Sequence, residues 1–387
     1  VNHTPGLRGE AALDTKLLKE SFALVAPQAE ELAAFFYAEV FYRGGTEVTD
    51  MFPPAMTAQR DRLLAALVRI VTDVDDLDRL SGFLTGLGRD HRKFDVKPEH
   101  YDVVGQALLA TLAHFAGEAW TPEVRETWAA AYALIAQVMR SGAEAAGDSP
   151  PWWEAVVTER EMRGPDIAVI RARLSQPMSY APGQSVAVQF PERAPRVWRF
   201  YSPANAPDDS GALTFHVKVE DGGMLSTALA LHAGPGARLR LGPPVGNLKL
   251  DTSSGRDVLL IAGSTGLAPL QAILEEISSW PRTPAVNLFF GARAPENLYE
   301  LDRLEKLAAQ HDWLTVVHAV TADPGETPGY AGRHGSIVDV AAGQGDWRER
   351  DAYVCGSSPM VRAAKGRLTA LGMPGEQVHT EDFGWEG

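Results

Sequence analysis

Through the first 150 residues apolar positions recur three and four apart, and strand-like alternation is rare. Leu17, Leu18, Phe22 and Val25 make one such stripe, and Leu32, Phe35, Phe36 and Val40 make the next. The same spacing predicts helices over about 57–72, 76–90, 98–116 and 122–145. Pro27, Pro98 and Pro122 each stand where a helix begins, because the first helical position has no intrahelical use for an N–H. Met51-Phe52-Pro53-Pro54 breaks the pattern between two helices. The block is all-helical.

Gly147-Asp148-Ser149-Pro150-Pro151 has the composition of a linker, and beyond Trp152 the period changes to two. Ile167–Leu174, Ser185–Phe190, Val197–Tyr201 and Leu213–Val219 read as short strands separated by Pro and Gly. With Leu239–Gly246 closing it, this region predicts a small antiparallel β-barrel. From residue 254 strands and helices alternate. Val258-Leu259-Leu260-Ile261-Ala262 is apolar throughout, as in a strand buried on both faces of a parallel sheet, and Ala285–Phe290 and Leu314–Val320 follow it. The predicted fold class is multidomain: an all-α block over 1–147, an antiparallel barrel over 148–253, and a Rossmann-like α/β domain over 254–387.

Composition narrows the chemistry. The 387 residues are 45% hydrophobic and 22% charged, which suits several globular domains. A net charge of −14 argues against nucleic acid or an anionic membrane as partner. No signal peptide or run of ~18 apolar residues is visible, so the expectation is a cytoplasmic protein without membrane insertion. A single cysteine, Cys355, leaves no intrachain disulfide and no cysteine-bound metal cluster.

Two runs carry the barrel's chemistry. Arg199-Phe200-Tyr201-Ser202 offers a cation, aromatic planes and a hydroxyl at a strand end. Gly222-Gly223-Met224-Leu225-Ser226 puts glycines and a serine before an apolar helix, where free N–H groups and the dipole favour a pyrophosphate. Together they resemble the FAD site of the ferredoxin–NADP reductase superfamily. That likeness sets Tyr201 against the flavin ring, Ser202 near its reactive edge, and Arg199, Gly222, Gly223 and Ser226 on the phosphates. Ser185, after Ala181-Pro182-Gly183-Gln184, stands where the family commonly has a tyrosine. Gly263-Ser264-Thr265-Gly266-Leu267-Ala268-Pro269, between a strand and a helix, resembles the nicotinamide-nucleotide site of the same superfamily. Cys355-Gly356, before Pro359-Met360, matches the run near the nicotinamide. Arg293 could read a 2′-phosphate or be a plain loop arginine, which leaves NADH and NADPH both open.

The helical block is by composition either a bundle or a globin-like fold. His91-Arg92-Lys93-Phe94-Asp95-Val96-Lys97-Pro98-Glu99-His100-Tyr101 decides between them, since it is similar to the haem-ligand segment of bacterial flavohaemoglobins. The resemblance implies haem b with His91 as iron ligand, Tyr37 as distal tyrosine, Phe52 as the wedge against the haem, and Gln59 and Leu63 on the distal side. Tyr101 would join His91 in a proximal network. That network's glutamate position falls on Ala143, so the expectation is that a local shift lets the neighbouring Glu144 reach His91. In the tail, Glu381 and Phe383 would approach the flavin.

The resemblance spans nearly the whole chain and implies a nitric oxide dioxygenase. NAD(P)H would give hydride to FAD, electrons would pass singly to haem, and dioxygen held under Tyr37 would oxidise nitric oxide to nitrate. The small-molecule partners are then O2, NO and NAD(P)H, and a monomer is expected. Two other classes stay open: a haem-based O2 or NO sensor, and a flavin reductase whose helical block is a docking module.

Overall fold

The computed structural model describes residues 13–246 and 248–382. Within them the chain divides into two compact units, one up to Pro151 and one from Trp152 onward. In the first, α1 (Thr15–Val25), α2 (Ala29–Thr49), α3 (Thr57–Asp73), α4 (Leu77–His91), α5 (Pro98–Ala116) and α6 (Pro122–Ala145) follow the apolar stripes. Asp14 caps α1 by accepting from the Leu17 N–H at 2.9 Å, and Asp76 caps α4 through the Arg79 N–H at 3.1 Å. Pro98 and Pro122 begin helices as predicted. Pro27 instead lies in a single 3-10 turn, Ala26–Gln28, ahead of α2. The α2 helix runs further than its stripe and kinks at Gly45, where φ is 63°.

This unit has two cores. One gathers Leu18, Leu32, Phe36, Tyr37, Leu108 and Trp128; the other gathers Ile70, Leu80, Leu84 and Met139. The α4 and α6 backbones nearly touch. A Cβ on Gly88 would sit 1.9 Å from the Met139 carbonyl oxygen, and one on Gly142 would sit 2.5 Å from that of Thr85. Glycine at both positions is what lets α4, with His91 at its end, lie this close to α6.

In the second unit the strands β1 (Trp153–Arg163), β2 (Ile167–Leu174), β3 (Val186–Gln189), β4 (Arg199–Tyr201), β5 (Ala212–Lys218) and β6 (Arg238–Leu241) form one antiparallel sheet. Their order is β4-β3-β6-β1-β2-β5. A bridge between Pro203 and Phe215 joins the two edge strands, so the sheet closes into the expected barrel. β4 is shorter than its alternation indicated because Arg196 takes a left-handed turn, φ 66°, just before it. Helix α7 (Met224–His232) sends Leu225 and Leu229 into the barrel core.

The rest is a parallel sheet of β7 (Asp257–Gly263), β8 (Val286–Ala292), β9 (Leu314–Val320), β10 (Arg333–His334), β11 (Arg350–Gly356) and β12 (Val378–Asp382), ordered β10-β9-β8-β7-β11-β12. Helices α8 (Leu267–Ser278), α9 (Leu301–Gln310), α10 (Ile337–Ala342) and α11 (Ser358–Ala370) complete the layers. Val258, Leu260 and Ala262 pack in one core and Leu259 and Ile261 in another, which is why β7 is apolar throughout.

Candidate functional site

A cavity of about 590 Å³ opens where the barrel meets the parallel sheet, within the second unit. Arg199, Phe200, Tyr201 and Ser202 reach it from the end of β4, Gly222, Gly223 and Ser226 from the turn into α7, and Gly263, Ser264, Thr265, Ala268 and Pro269 from the turn into α8. The three sequence runs therefore converge on one space.

Each wall has a local cause. Gly222 has φ 72°, a left-handed turn natural to glycine. A Cβ on Gly223 would lie 2.4 Å from Ser226 Oγ. The Ser226 hydroxyl donates to the Gly223 carbonyl at 3.2 Å and accepts from the Glu220 N–H at 3.3 Å, so it shapes this turn. No side chain caps α7, which leaves its first N–H groups for a ligand. Arg199 Nη1 donates to the Trp198 carbonyl at 3.0 Å. The Ser202 hydroxyl is 4% exposed and has no hydrogen-bond partner among the described residues. A buried polar atom kept without a partner fits a ligand that completes it. With a cation, an uncapped helix start and aromatic rings on the same wall, the residues present fit a flavin dinucleotide.

Five predicted residues lie outside the lining. Ser185 is buried, its N–H and C=O exchanging bonds with Val245 at 2.9 and 2.8 Å. Gly266 lets α8 start against β11, since a Cβ there would meet the Cys355 carbonyl oxygen at 2.2 Å. Cys355 is fully buried in the core and Gly356 packs on Gly263, while Ser357 and Ser358 face the cavity instead. Glu381 pairs with Cys355 along β12 and brings its carboxylate beside Gly246. Phe383 lies outside the described residues.

Sequence reasoning passed over His216, which lines the cavity from β5 and meets the Tyr299 hydroxyl at 2.8 Å. The available signal was its phase. Leu213, Phe215 and Val217 point into the barrel, so His216 and Lys218 face the other way.

In the helical unit, His91 Nδ1 lies 2.8 Å from the Leu87 carbonyl oxygen, which can only accept. The imidazole therefore donates from Nδ1 and keeps its lone pair on Nε2, the form that binds a metal. Burial holds its pKa below the usual histidine value, which also favours the neutral ring. Among the described residues no cluster of three His, Cys, Asp or Glu side chains could hold a metal. An ion on His91 would have to bring its other ligands, as a porphyrin does, so the donor set fits a haem. Tyr37 is buried, edge-on to Phe52 with ring centroids 5.6 Å apart, and donates to the Gln59 backbone carbonyl at 3.2 Å. Burial raises its pKa to about 12, so the phenol stays protonated. The half-buried Phe52 and Leu63 border the same core. Gln59 meets Tyr37 through its main-chain carbonyl, and its side chain also acts on the phenol.

The proximal network expected from sequence is not formed. The position of Tyr101's ring is shared with the Arg140 guanidinium at 5.8 Å, and the His91 Nδ1 proton goes to Leu87, not to Tyr101. Glu144 is exposed, and the Nδ1 proton it would accept goes to Leu87. One residue along a helix turns a side chain by ~100°, which sets Glu144 on a different face from Ala143. The nearest carboxylate along the chain, Asp90, is instead held by the buried Lys93 Nζ at 2.6 and 2.7 Å.

Comparison with known proteins follows this layout. Family models match in order: globin over residues 38–139, oxidoreductase FAD-binding domain over 154–250, and oxidoreductase NAD-binding domain over 260–366. Together they define an oxidoreductase whose flavin and nicotinamide-nucleotide module is fused to a globin. A flavohemoprotein of Bordetella pertussis is 29% identical over 399 residues, covering 96% of this chain and 98% of that protein. The chain is thus similar over nearly its whole length to flavohaemoproteins, with the same three domains in the same order. The flavohemoglobin of Malassezia yamatoensis, solved with FAD and heme, superposes with a TM-score of 0.80 at 16% identity over 96% of this chain and 99% of that one. The ferredoxin–NAD(P)+ reductase component of a Pseudomonas putida naphthalene 1,2-dioxygenase system is 35% identical over 223 residues, 56% of this chain and 65% of that protein. No helix among the described residues is long and apolar enough to cross a membrane.

Proposed function

We propose that the protein is an NAD(P)H-dependent nitric oxide dioxygenase, with haem in residues 1–147, FAD in 148–253 and the nicotinamide nucleotide in 254–387. The observation that carries this is the His91 imidazole, fixed by Leu87 with Nε2 free for iron, in a chain that also gathers both dinucleotide motifs on one cavity. When bound, the two prosthetic groups supply the conversion of a hydride into single electrons and the binding of dioxygen.

The chain's own residues do the rest. Arg199 neutralises phosphate charge, and the uncapped start of α7 donates N–H groups to the same anion. The Gly263–Thr265 turn, on the same cavity, would receive the pyrophosphate of the nicotinamide nucleotide. His91 would hold the haem iron through Nε2, since Leu87 fixes the Nδ1 proton. Tyr37, protonated at any physiological pH and now donating to the Gln59 carbonyl, would offer its hydroxyl as a donor to a ligand held in this pocket, where it would stabilise negative charge. Phe52 and Phe41 hold its ring in place.

The test is stoichiometry. A hydride carries two electrons and each nitrate formed consumes one, so two NO and two O2 should disappear per NAD(P)H oxidised. NAD(P)H oxidation that continues without nitrate would refute the proposal. A second reading, a reductase for an external acceptor, is favoured by the 35% identity of this module to an oxygenase reductase against 29% for a full-length flavohemoprotein. It predicts rapid reduction of added ferredoxin or cytochrome and little nitrate.

A further inference from the structure

Two buried polar atoms on the cavity wall have no partner among the described residues: Ser202 Oγ and His216 Nε2. They are neighbours. The Pro203–Phe215 bridge and the 2.7 Å bond from the Ala204 N–H to the Thr214 carbonyl set Ser202 directly opposite His216 across the barrel's closing seam. Opposed residues on antiparallel strands have Cβ atoms ~4.5–5.5 Å apart and side chains on one face. Both side chains are 4% exposed.

The imidazole's orientation is set from the parallel-sheet side. Tyr299, ahead of α9, meets His216 Nδ1 at 2.8 Å, its ring edge-on with centroids 5.2 Å apart. Burial, and then the nearby Glu300 carboxylate, hold the Tyr299 phenol well above its usual range, so it keeps its proton to donate. When the phenol donates to Nδ1, Nε2 carries the ring's own N–H, and that is the tautomer that gives the unpartnered Nε2 a proton to offer a ligand. Burial and the cations Arg303, Arg163 and Arg171 push the His216 pKa to about 3, so the imidazole is a neutral, directed donor.

Resting on the flavin reading of this cavity, we infer that His216 is a positioning residue for the isoalloxazine ring, its Nε2–H joining the Ser202 hydroxyl in a two-point seat for the ring's polar edge. Two donors on one edge hold the ring against sliding in its plane. They also favour its electron-rich reduced form over the oxidised one. Tyr299 couples the seat to the nucleotide half, because it fixes which imidazole nitrogen faces the ring.

The experiment uses the flavin-loaded full chain. The flavin midpoint potential and the FAD dissociation constant are measured for wild type, His216→Leu, His216→Gln and Tyr299→Phe. His216→Leu should weaken the preference for reduced over oxidised flavin about tenfold, a fall of about 30 mV for two electrons. His216→Gln, which keeps an N–H donor, should recover most of that fall, and Tyr299→Phe should give a smaller fall. The glutamine and phenylalanine variants still decide the matter if leucine prevents folding. Potentials equal to wild type in flavin-loaded variants would overturn the inference. So would a changed KM for NADH alone, which would assign the donor to the nicotinamide. Wild-type protein that takes up no FAD would overturn the flavin reading itself.

Discussion

Two glycines on α4 should respond to alanine with opposite signs. Gly82 is exposed, and a Cβ there meets nothing within 4 Å. Gly82→Ala should stabilise the helical unit by about 0.5–1 kcal/mol, the ordinary cost of glycine inside a helix. At Gly88 the same propensity gain meets the Met139 carbonyl 1.9 Å away, so α4 and α6 must separate by about 1 Å. Overpacking of that kind costs about 1–3 kcal/mol, and the backbone atom it strikes has no rotamer to escape into. The two variants should differ by about 2 kcal/mol, more than tenfold in an opening equilibrium. Amide hydrogen exchange of α4 and α6 peptides reads this directly: slower in Gly82→Ala, faster in Gly88→Ala. Equal or same-direction changes would refute the reading of the crossing.

Tyr37→Phe removes a donor to a charged acceptor, worth about 1.5–3 kcal/mol, and dioxygen should leave the ferrous protein about 10- to 100-fold faster in stopped-flow mixing. Because burial raises the folded Tyr37 pKa to about 12 from the ordinary 10.0, its contribution to stability is intact below pH 10 and lost as pH rises towards 12. Urea titrations of wild type across that window should show a decline that Tyr37→Phe lessens. Glu144→Ala should leave the iron–histidine stretch in resonance Raman unchanged, since Glu144 is exposed and the imidazole is held by Leu87. Arg199→Ala should weaken FAD binding about 10- to 100-fold in a fluorescence titration, the loss of a charge-assisted bond.

Elements driven by periodicity were legible in the sequence. The predicted helices and the strands Ile167–Leu174 and Leu314–Val320 lie where their patterns put them, because one buried face dictates the spacing. Motif runs also converged on one cavity, since Arg199–Ser202, Gly222–Ser226 and Gly263–Thr265 each sit at an element end, where chain direction is set locally. What depends on rotation about an axis was not legible. Glu144 is one residue from the place where it would matter, and Tyr101 lies near His91 in sequence without bonding it. His216 was hidden for another reason: its partner Tyr299 is 83 residues away, and no pattern along the chain links them. The shared edge β12, parallel to β11, escaped notice because Val378–Asp382 does not alternate.

The central claim is that electrons entering at the Gly263 turn leave through the metal on His91. NADH or NADPH added anaerobically to the loaded protein tests it in one spectrum. The flavin band should bleach first and the haem bands should then shift to the ferrous form, with nitrate appearing once oxygen and nitric oxide are admitted. A flavin that bleaches while the haem stays ferric would contradict it.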